Sequence, residues 1–138
     1  MRVNVSTLTG EALDWAVATC EDRNIMRDPM GFKSGSESGY WIWEEKTNNH
    51  IDTAQLIGRN YSPSKNWLQG GEIIERENVS LASPSPVSDH WTAMTNMSTH
   101  KQHGDTALIA AMRCYVETKM GGEIDIPNSL NIPNEDAA

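Results

Sequence analysis

"TALIAAMRCYVETKMGGEIDIP", Thr106–Pro127, decides the fold, because its apolar period changes once and sharply. Up to Met120 the apolar residues recur at helical spacing. Leu108, Met112 and Tyr115 share a face with Lys119, and Ile109, Val116 and Met120 lie beside it. Asp105 is expected to cap this helix over Thr106–Met120, and Gly121 to end it in the left-handed conformation open to a residue without Cβ. From Glu123 to Pro127 the pattern alternates, with Ile124 and Ile126 flanking Asp125, which is the two-residue period of a strand. A long helix feeding a short strand, among other short strands, predicts an α+β fold: one small, mostly antiparallel sheet with two main helices packed on it.

The other elements are read outward from there. "RVNVS", Arg2–Ser6, alternates and reads as a first strand. Thr9 is placed to cap the other main helix, Gly10–Glu21, whose buried stripe is Leu13, Ala16, Val17 and Cys20 and whose first turn carries Glu11. Asp28–Gly39 is rich in Gly and Ser and is expected to be a flexible loop. "YWIWEE" follows as a strand, with Trp41 and Trp43 on one face and Tyr40 and Ile42 on the other. Asn48–Ile51 reads as a turn, and Thr53–Gly58 fits a strand or one helical turn. Ile73–Arg76 is undecided, and a strand begins near Val79. Ser83–Asp89 is a loop because Pro84 and Pro86 lack ladder donors. His90–Thr95 reads as a strand, Asn96–Gly104 as a polar connection, and residues from about 131 to 138 as a disordered tail. The 138 residues fit a single domain.

Composition narrows the function classes. The net charge is −8, from 19 acids and 11 bases, and the Lys and Arg are scattered without a patch. Phosphate backbones repel such a chain, so no nucleic-acid partner is expected. No apolar run approaches the ~18 residues of a membrane span, and no basic-then-apolar leader opens the chain, so the expectation is a soluble cytoplasmic protein without a membrane partner. Five tryptophans stand against one phenylalanine, and Trp favours places where a core meets a ligand or partner. Cys20 and Cys114 fall in helical apolar patterns, as thiols that pack like small hydrophobes do. His100 and His103, with His90, Asp89 and Asp105 nearby, have the spacing to hold zinc from one helical turn. No His-Glu-x-x-His or Cys-x-x-Cys completes the set, so no metal or cofactor is expected. Asp14, beside Trp15, is one available carboxylate, and Glu75 and Glu77 would share a face on a strand. No Gly-x-Ser-x-Gly elbow is present, and no catalytic residue stands out.

"YSPSKNWLQGG", Tyr61–Gly71, is the stretch with the most site-like chemistry. Ser62 and Pro63 form a helix start, and Gly70 and Gly71 a matching stop, so Pro63–Gln69 is expected to be a short helical segment anchored by Trp67. Its free N–H groups, with the Ser62 and Ser64 hydroxyls, Arg59 and Lys65, would make an anion-receptive end. The competing reading is a structural corner, with Trp67 plugging the core and the glycines permitting a tight return.

Three stretches together, "STLTGEALDWAVATCE" (Ser6–Glu21), "YSPSKNWLQGGEIIERE" (Tyr61–Glu77) and Thr106–Pro127, resemble the phage NinX-like family. Its members are small proteins of phages and prophages, some from the nin region of lambdoid phages. Tyr61, Ser62, Trp67, Gly70 and Gly71 match the family signature. The chain departs from it at Lys65-Asn66, where the pattern has Thr-Asp, at Glu72, where it has Pro, and at "HGDTA", where it has Gly-Pro-Thr-Pro.

The resemblance implies a phage accessory protein acting in the host cytoplasm, and it carries over no catalytic residue. The expected action is counter-defence by capture of a nucleotide-like or other anionic small ligand. In that picture Trp67, with Trp41 or Trp43, stacks a base while Ser62, Ser64, Lys65 and Arg59 hold phosphate. Two alternatives stay open: a protein-binding inhibitor or modulator of a host or defence protein, and a small enzyme of nucleotide metabolism. Homo-oligomerisation is open as well.

Overall fold

The computed structural model describes residues 1–45, 51–86, 88–95 and 100–130. In chain order the first elements are β1 (Arg2–Asn4), α1 (Gly10–Cys20), β2 (Ile25–Arg27), β3 (Tyr40–Glu45) and β4 (Ile51–Leu56). Then come α2 (Trp67–Glu77), β5 (Ser80–Ala82), β6 (Trp91–Met94), β7 (Lys101–Gly104), α3 (Ala107–Met120) and β8 (Glu123–Asp125). The α+β class is as expected, but among the described residues the strands form three small antiparallel sheets, β1-β8, β2-β3-β4 and β5-β6-β7, and there is a third α-helix.

Helix α3 is the centre of the packing. Ala110, Ala111, Met112, Cys114, Tyr115 and Val116 are all buried, so its apolar arc is wider than one stripe. Leu13, Ala16 and Val17 of α1 join the same core, as do Ile124 and Ile126. A smaller cluster gathers Ala18, Ile42, Ile57 and Tyr61 beneath the β2-β3-β4 sheet. An ionic knot ties the three helices together at one end. Arg76 of α2 donates to both carboxylate oxygens of Glu21 (3.1 and 2.6 Å), and the Tyr115 hydroxyl of α3 donates to the same carboxylate.

Several boundaries differ from the sequence reading. The cap of α3 is Thr106, whose hydroxyl accepts the Ile109 N–H at 3.1 Å, so Asp105 lies one residue outside it. Gly121 has φ 97° and ψ 178°, a positive φ with an extended ψ instead of a left-handed helical turn. The polar connection expected over Asn96–Gly104 is in part a strand, since Lys101–Gly104 is β7 and buries Gln102 and Gly104. No apolar residue alternates in "KQHG", which hid that strand. Thr53–Gly58 resolves as strand β4, and β2 was not anticipated. The turn expected over Asn48–Ile51 lies outside the described residues except for Ile51, which opens β4; the tail from 131 also lies outside them. The Asp28–Gly39 loop is tied down by Asp28, whose carboxylate accepts the N–H groups of Phe32 (2.9 Å) and Lys33 (2.8 Å). Among the described residues no helix is long and apolar enough to cross a membrane.

Candidate functional site

The Tyr61–Gly71 stretch does not form the expected Pro63–Gln69 segment with a double-glycine stop. The Ser62 carbonyl accepts from Lys65 N (2.9 Å) and Asn66 N (2.8 Å), which makes a single turn over Pro63–Lys65. Asn66 then turns extended (φ −105°, ψ 111°), and its side chain accepts from Leu68 N and Gln69 N. Asn66 is therefore the N-cap of α2, which runs on through both glycines to Glu77. Gly70 is required by contact: a Cβ there would lie 2.3 Å from the Pro63 carbonyl oxygen and 2.6 Å from Leu108 Cδ2. The helix thus presses against the preceding turn and against α3. Helix α2 also settles Ile73–Arg76, and it parts Glu75 from Glu77 by about 200° around the axis. The shared strand face expected for these two carboxylates does not exist.

The turn is held from below by Asp14 of α1. This side chain is fully buried, and its Oδ1 accepts the Ser64 N–H at 3.0 Å. Asp14 Oδ2 and Ser64 Oγ are both buried without a hydrogen-bond partner among the described residues. The Ser64 hydroxyl nonetheless lies near enough to favour the carboxylate electrostatically, short of a full hydrogen bond. Burial pushes the Asp14 carboxyl up to about 6, opposed by the Ser64 groups and the Lys65 charge. Beside it, the Ser62 N–H donates to Gln69 Oε1 at 2.7 Å. The backbone donors that spacing assigned to an anion, on Ser62, Ser64, Lys65 and Asn66, are therefore occupied within the protein.

What this scaffold presents outward is a cleft of about 430 Å³ between the turn, Trp91 of β6 and the start of α3. Lys65 and Trp67 line one part, Trp91 another, and Leu108 and Ile109 add apolar surface, with Asp105 and Thr106 as polar neighbours. Trp67 is 59% exposed and the adjacent Leu68 is 85% exposed, so Trp67 is not the core plug of the corner reading. Lys65 is exposed and makes no ion pair among the described residues.

Three of the ten anticipated site residues, Ser64, Lys65 and Trp67, meet in this cleft. Tyr61, Ser62 and Gly70 are buried, and Gly71 lies against the Trp67 ring. Arg59, Trp41 and Trp43 are not part of it. Arg59 pairs with Glu37. Trp41 is buried, with its indole N–H donating to the Glu37 carbonyl at 3.0 Å, and Trp43 meets it edge-on at 6.3 Å. Sequence reasoning left Trp91 out of the primary set and saw Asp14 only as a spare carboxylate. The signal for Asp14 was its position between Leu13 and Val17, within the arc that α1 buries.

The histidines do not share a helical turn. His100 Nδ1 lies 3.8 Å from Glu117, while His103 bonds Thr92 (3.0 Å) and its ring sits 5.5 Å from that of His90. No group of three or more His, Cys, Asp or Glu gathers as a metal site among the described residues. Burial pushes the Cys20 thiol up to about 12 and the Cys114 thiol up to about 11, which leaves both poor nucleophiles at neutral pH.

A family model described as Bacteriophage P22, NinX matches residues 4–119, a span that includes α1, α2, α3 up to Lys119 and the aromatic cleft. No curated protein matches the chain.

Proposed function

This chain belongs to the phage NinX family, and from that membership we propose a phage accessory protein that acts by binding, with the cleft between Trp67 and Trp91 as its site. The ligand class is a planar aromatic ring bearing an anionic group, as in a nucleotide. The rings of Trp67 and Trp91 take the planar part and Lys65 takes the anion. The use is counter-defence in the host cytoplasm, by holding such a molecule away from its receptor.

The observation that carries this reading is an unpaired lysine and an exposed tryptophan converging with a second tryptophan on one cleft. Stacking on an aromatic side chain contributes ~1–3 kcal/mol per base. A charged hydrogen bond from Lys65 adds ~1.5–3 kcal/mol. Lys65→Ala is therefore expected to weaken an anionic aromatic ligand by roughly 10- to 150-fold while changing stability by less than ~0.5 kcal/mol. Titration of tryptophan fluorescence with nucleoside mono- and diphosphates checks this, and the nucleotide must be recovered chemically unchanged. No quenching by any nucleotide, with full function of Lys65→Ala in infection, overturns the reading.

One observation favours a protein partner instead. Trp67 and Leu68 are adjacent large apolar side chains open to solvent, and tryptophan is enriched at binding hot spots. Capture of a host protein from lysate that is lost in Trp67→Ala but kept in Lys65→Ala would select that alternative.

A further inference from the structure

A second cleft, of about 440 Å³, lies where the 28–39 loop folds over the first turn of α1 and the ends of β3 and β4. It has no residue in common with the aromatic cleft. Its walls carry Arg27, Arg59, Ser36 and Ser38 on one hand and the carboxylate of Glu11 on the other. Tyr40, Leu56 and Ile57 supply apolar surface.

The charges in this cleft are unusual for this molecule. Outside this cleft Arg2, Arg23 and Arg76 are matched with acids (Asp125, Glu44 and Glu21), and Arg113 donates to the Leu8 and His103 carbonyls. Arg27 and Glu11 line one cleft with opposite charges, yet among the described residues neither side chain has an ion pair or hydrogen bond, and they do not satisfy each other. Partial burial raises the Glu11 carboxyl, the direction expected of a carboxylate that lacks a compensating partner. Arg59 is engaged with Glu37 through one terminal nitrogen, which leaves most of its fork of donors uncommitted.

The cleft is also held in shape before any ligand arrives. Three ties fix the loop: the Asp28 carboxylate on Phe32 and Lys33, the Trp41 indole on the Glu37 carbonyl, and Arg59 on the Glu37 carboxylate. The absence of a side chain at Gly39 leaves Glu11 room, since a Cβ there would lie 3.1 Å from Glu11 Oε2. The Ser36 hydroxyl is uncommitted among the described residues, and that of Ser38 is bound within the loop to the Gly35 carbonyl.

We propose that this cleft binds a phosphorylated sugar, with Arg27 and the free edge of Arg59 on the phosphate and Glu11 accepting from the sugar hydroxyls. Guanidinium forks match phosphate geometry, whereas a carboxylate matches vicinal hydroxyl donors. A bare anion suits Arg27 and is repelled by Glu11, so the occupant has to bring donors along with its negative charge. The volume lies near the lower end of the ~300–1,000 Å³ typical of small-molecule sites, which suits a ligand of that size.

The test uses the full chain and three probes: ribose 5-phosphate, ribose and inorganic phosphate, measured by calorimetry. Ribose 5-phosphate is expected to bind one per chain, at least tenfold tighter than either fragment. Arg27→Ala weakens it at least tenfold. Glu11→Gln weakens ribose 5-phosphate but leaves inorganic phosphate unchanged or tighter, a split that general unfolding does not produce. Lys65→Ala leaves all three titrations unchanged, which separates this site from the aromatic cleft. No binding of ribose 5-phosphate at millimolar concentration overturns the proposal, as does binding indifferent to both Arg27→Ala and Glu11→Gln. Equal affinity for ribose 5-phosphate and inorganic phosphate overturns the sugar contact of Glu11.

Discussion

The two clefts are nearly equal in volume, about 430 and 440 Å³, but they are made of different material. The aromatic cleft rests on the starts of two helices and on Leu108, which is part of the buried interior, so its shape and the stability of the fold are the same property. The polar cleft is bounded on one side by a loop that a few hydrogen bonds hold in place, with the buried Leu56 and Ile57 on its floor. The contrast shows where sequence can change freely. Residues on the loop side of the polar cleft can change without endangering the fold, and residues beneath the aromatic cleft cannot.

The largest expected effect tests that contrast directly. Gly70→Ala forces a Cβ to 2.3 Å from a backbone carbonyl, and a backbone atom cannot step aside as a side-chain tip can. We expect a loss of about 3 kcal/mol in denaturant unfolding, the upper range of overpacking. Gly35→Ala at the polar cleft meets nothing within 4 Å and carries only the strain of φ +95°, so about 1 kcal/mol is expected. Equal losses would erase the distinction between the two clefts.

A second test sharpens it through pH. The Asp14 carboxyl stands at about 6 in the fold against an ordinary 3.8, because burial disfavours its charge. Folding therefore takes up a proton at this residue. The contribution is fully present below the ordinary value and is lost as pH rises through about 6, a change of about 3 kcal/mol. Glu44 is shifted the other way by its bond from Arg23, and loses its contribution as pH falls. Asp14→Asn keeps an oxygen for the Ser64 N–H and removes the charge. Its stability advantage over the natural chain should grow by about 2–3 kcal/mol between pH 4 and pH 8. Parallel unfolding profiles would mean that the Asp14 charge costs nothing where it lies.

The smallest effect is a gain. Gly71 lies mid-helix, and a Cβ there would make an ordinary 3.7 Å contact with the Trp67 ring. Gly71→Ala should stabilise by about 0.5–1 kcal/mol, the helix-interior difference between the two residues. Two glycines side by side are thus expected to respond with opposite signs.

That pair also marks how far the sequence could be read. The main helices were legible because α1 and α3 bury long stripes, and Leu13, Val17, Met112 and Val116 recur at a spacing that few other structures need. Val3 and Ile124 were legible as strand residues for the same reason of period. Helix α2 was not, because its interior holds two glycines that resemble a stop, and only the nearness of Pro63 and Leu108 explains Gly70. Strand β7 was hidden because Gln102 and Gly104, not apolar residues, occupy its inward positions. Within the site, Lys65 and Trp67 were found because their chemistry shows in their own neighbourhood. Trp91 and Asp14 enter only when distant segments meet, as at the Asp14–Ser64 contact across 50 positions.

The pairing of β1 with β8 has a consequence in time. Val3 sits opposite Ile124, and the Val5 N–H bonds the Gly122 carbonyl at 2.9 Å. A bacterial ribosome adds ~5–20 residues per second, so the first strand waits roughly 6–24 s before its partner exists. Throughout that interval α1 can coil, and the Val5–Thr7 turn can pack on α3 once Ala107–Met120 is made, but β1 has no strand to pair with. Closure therefore waits until Gly122 and Ile124 have been added, and a chain stalled before Gly122 is left with β1 unpaired.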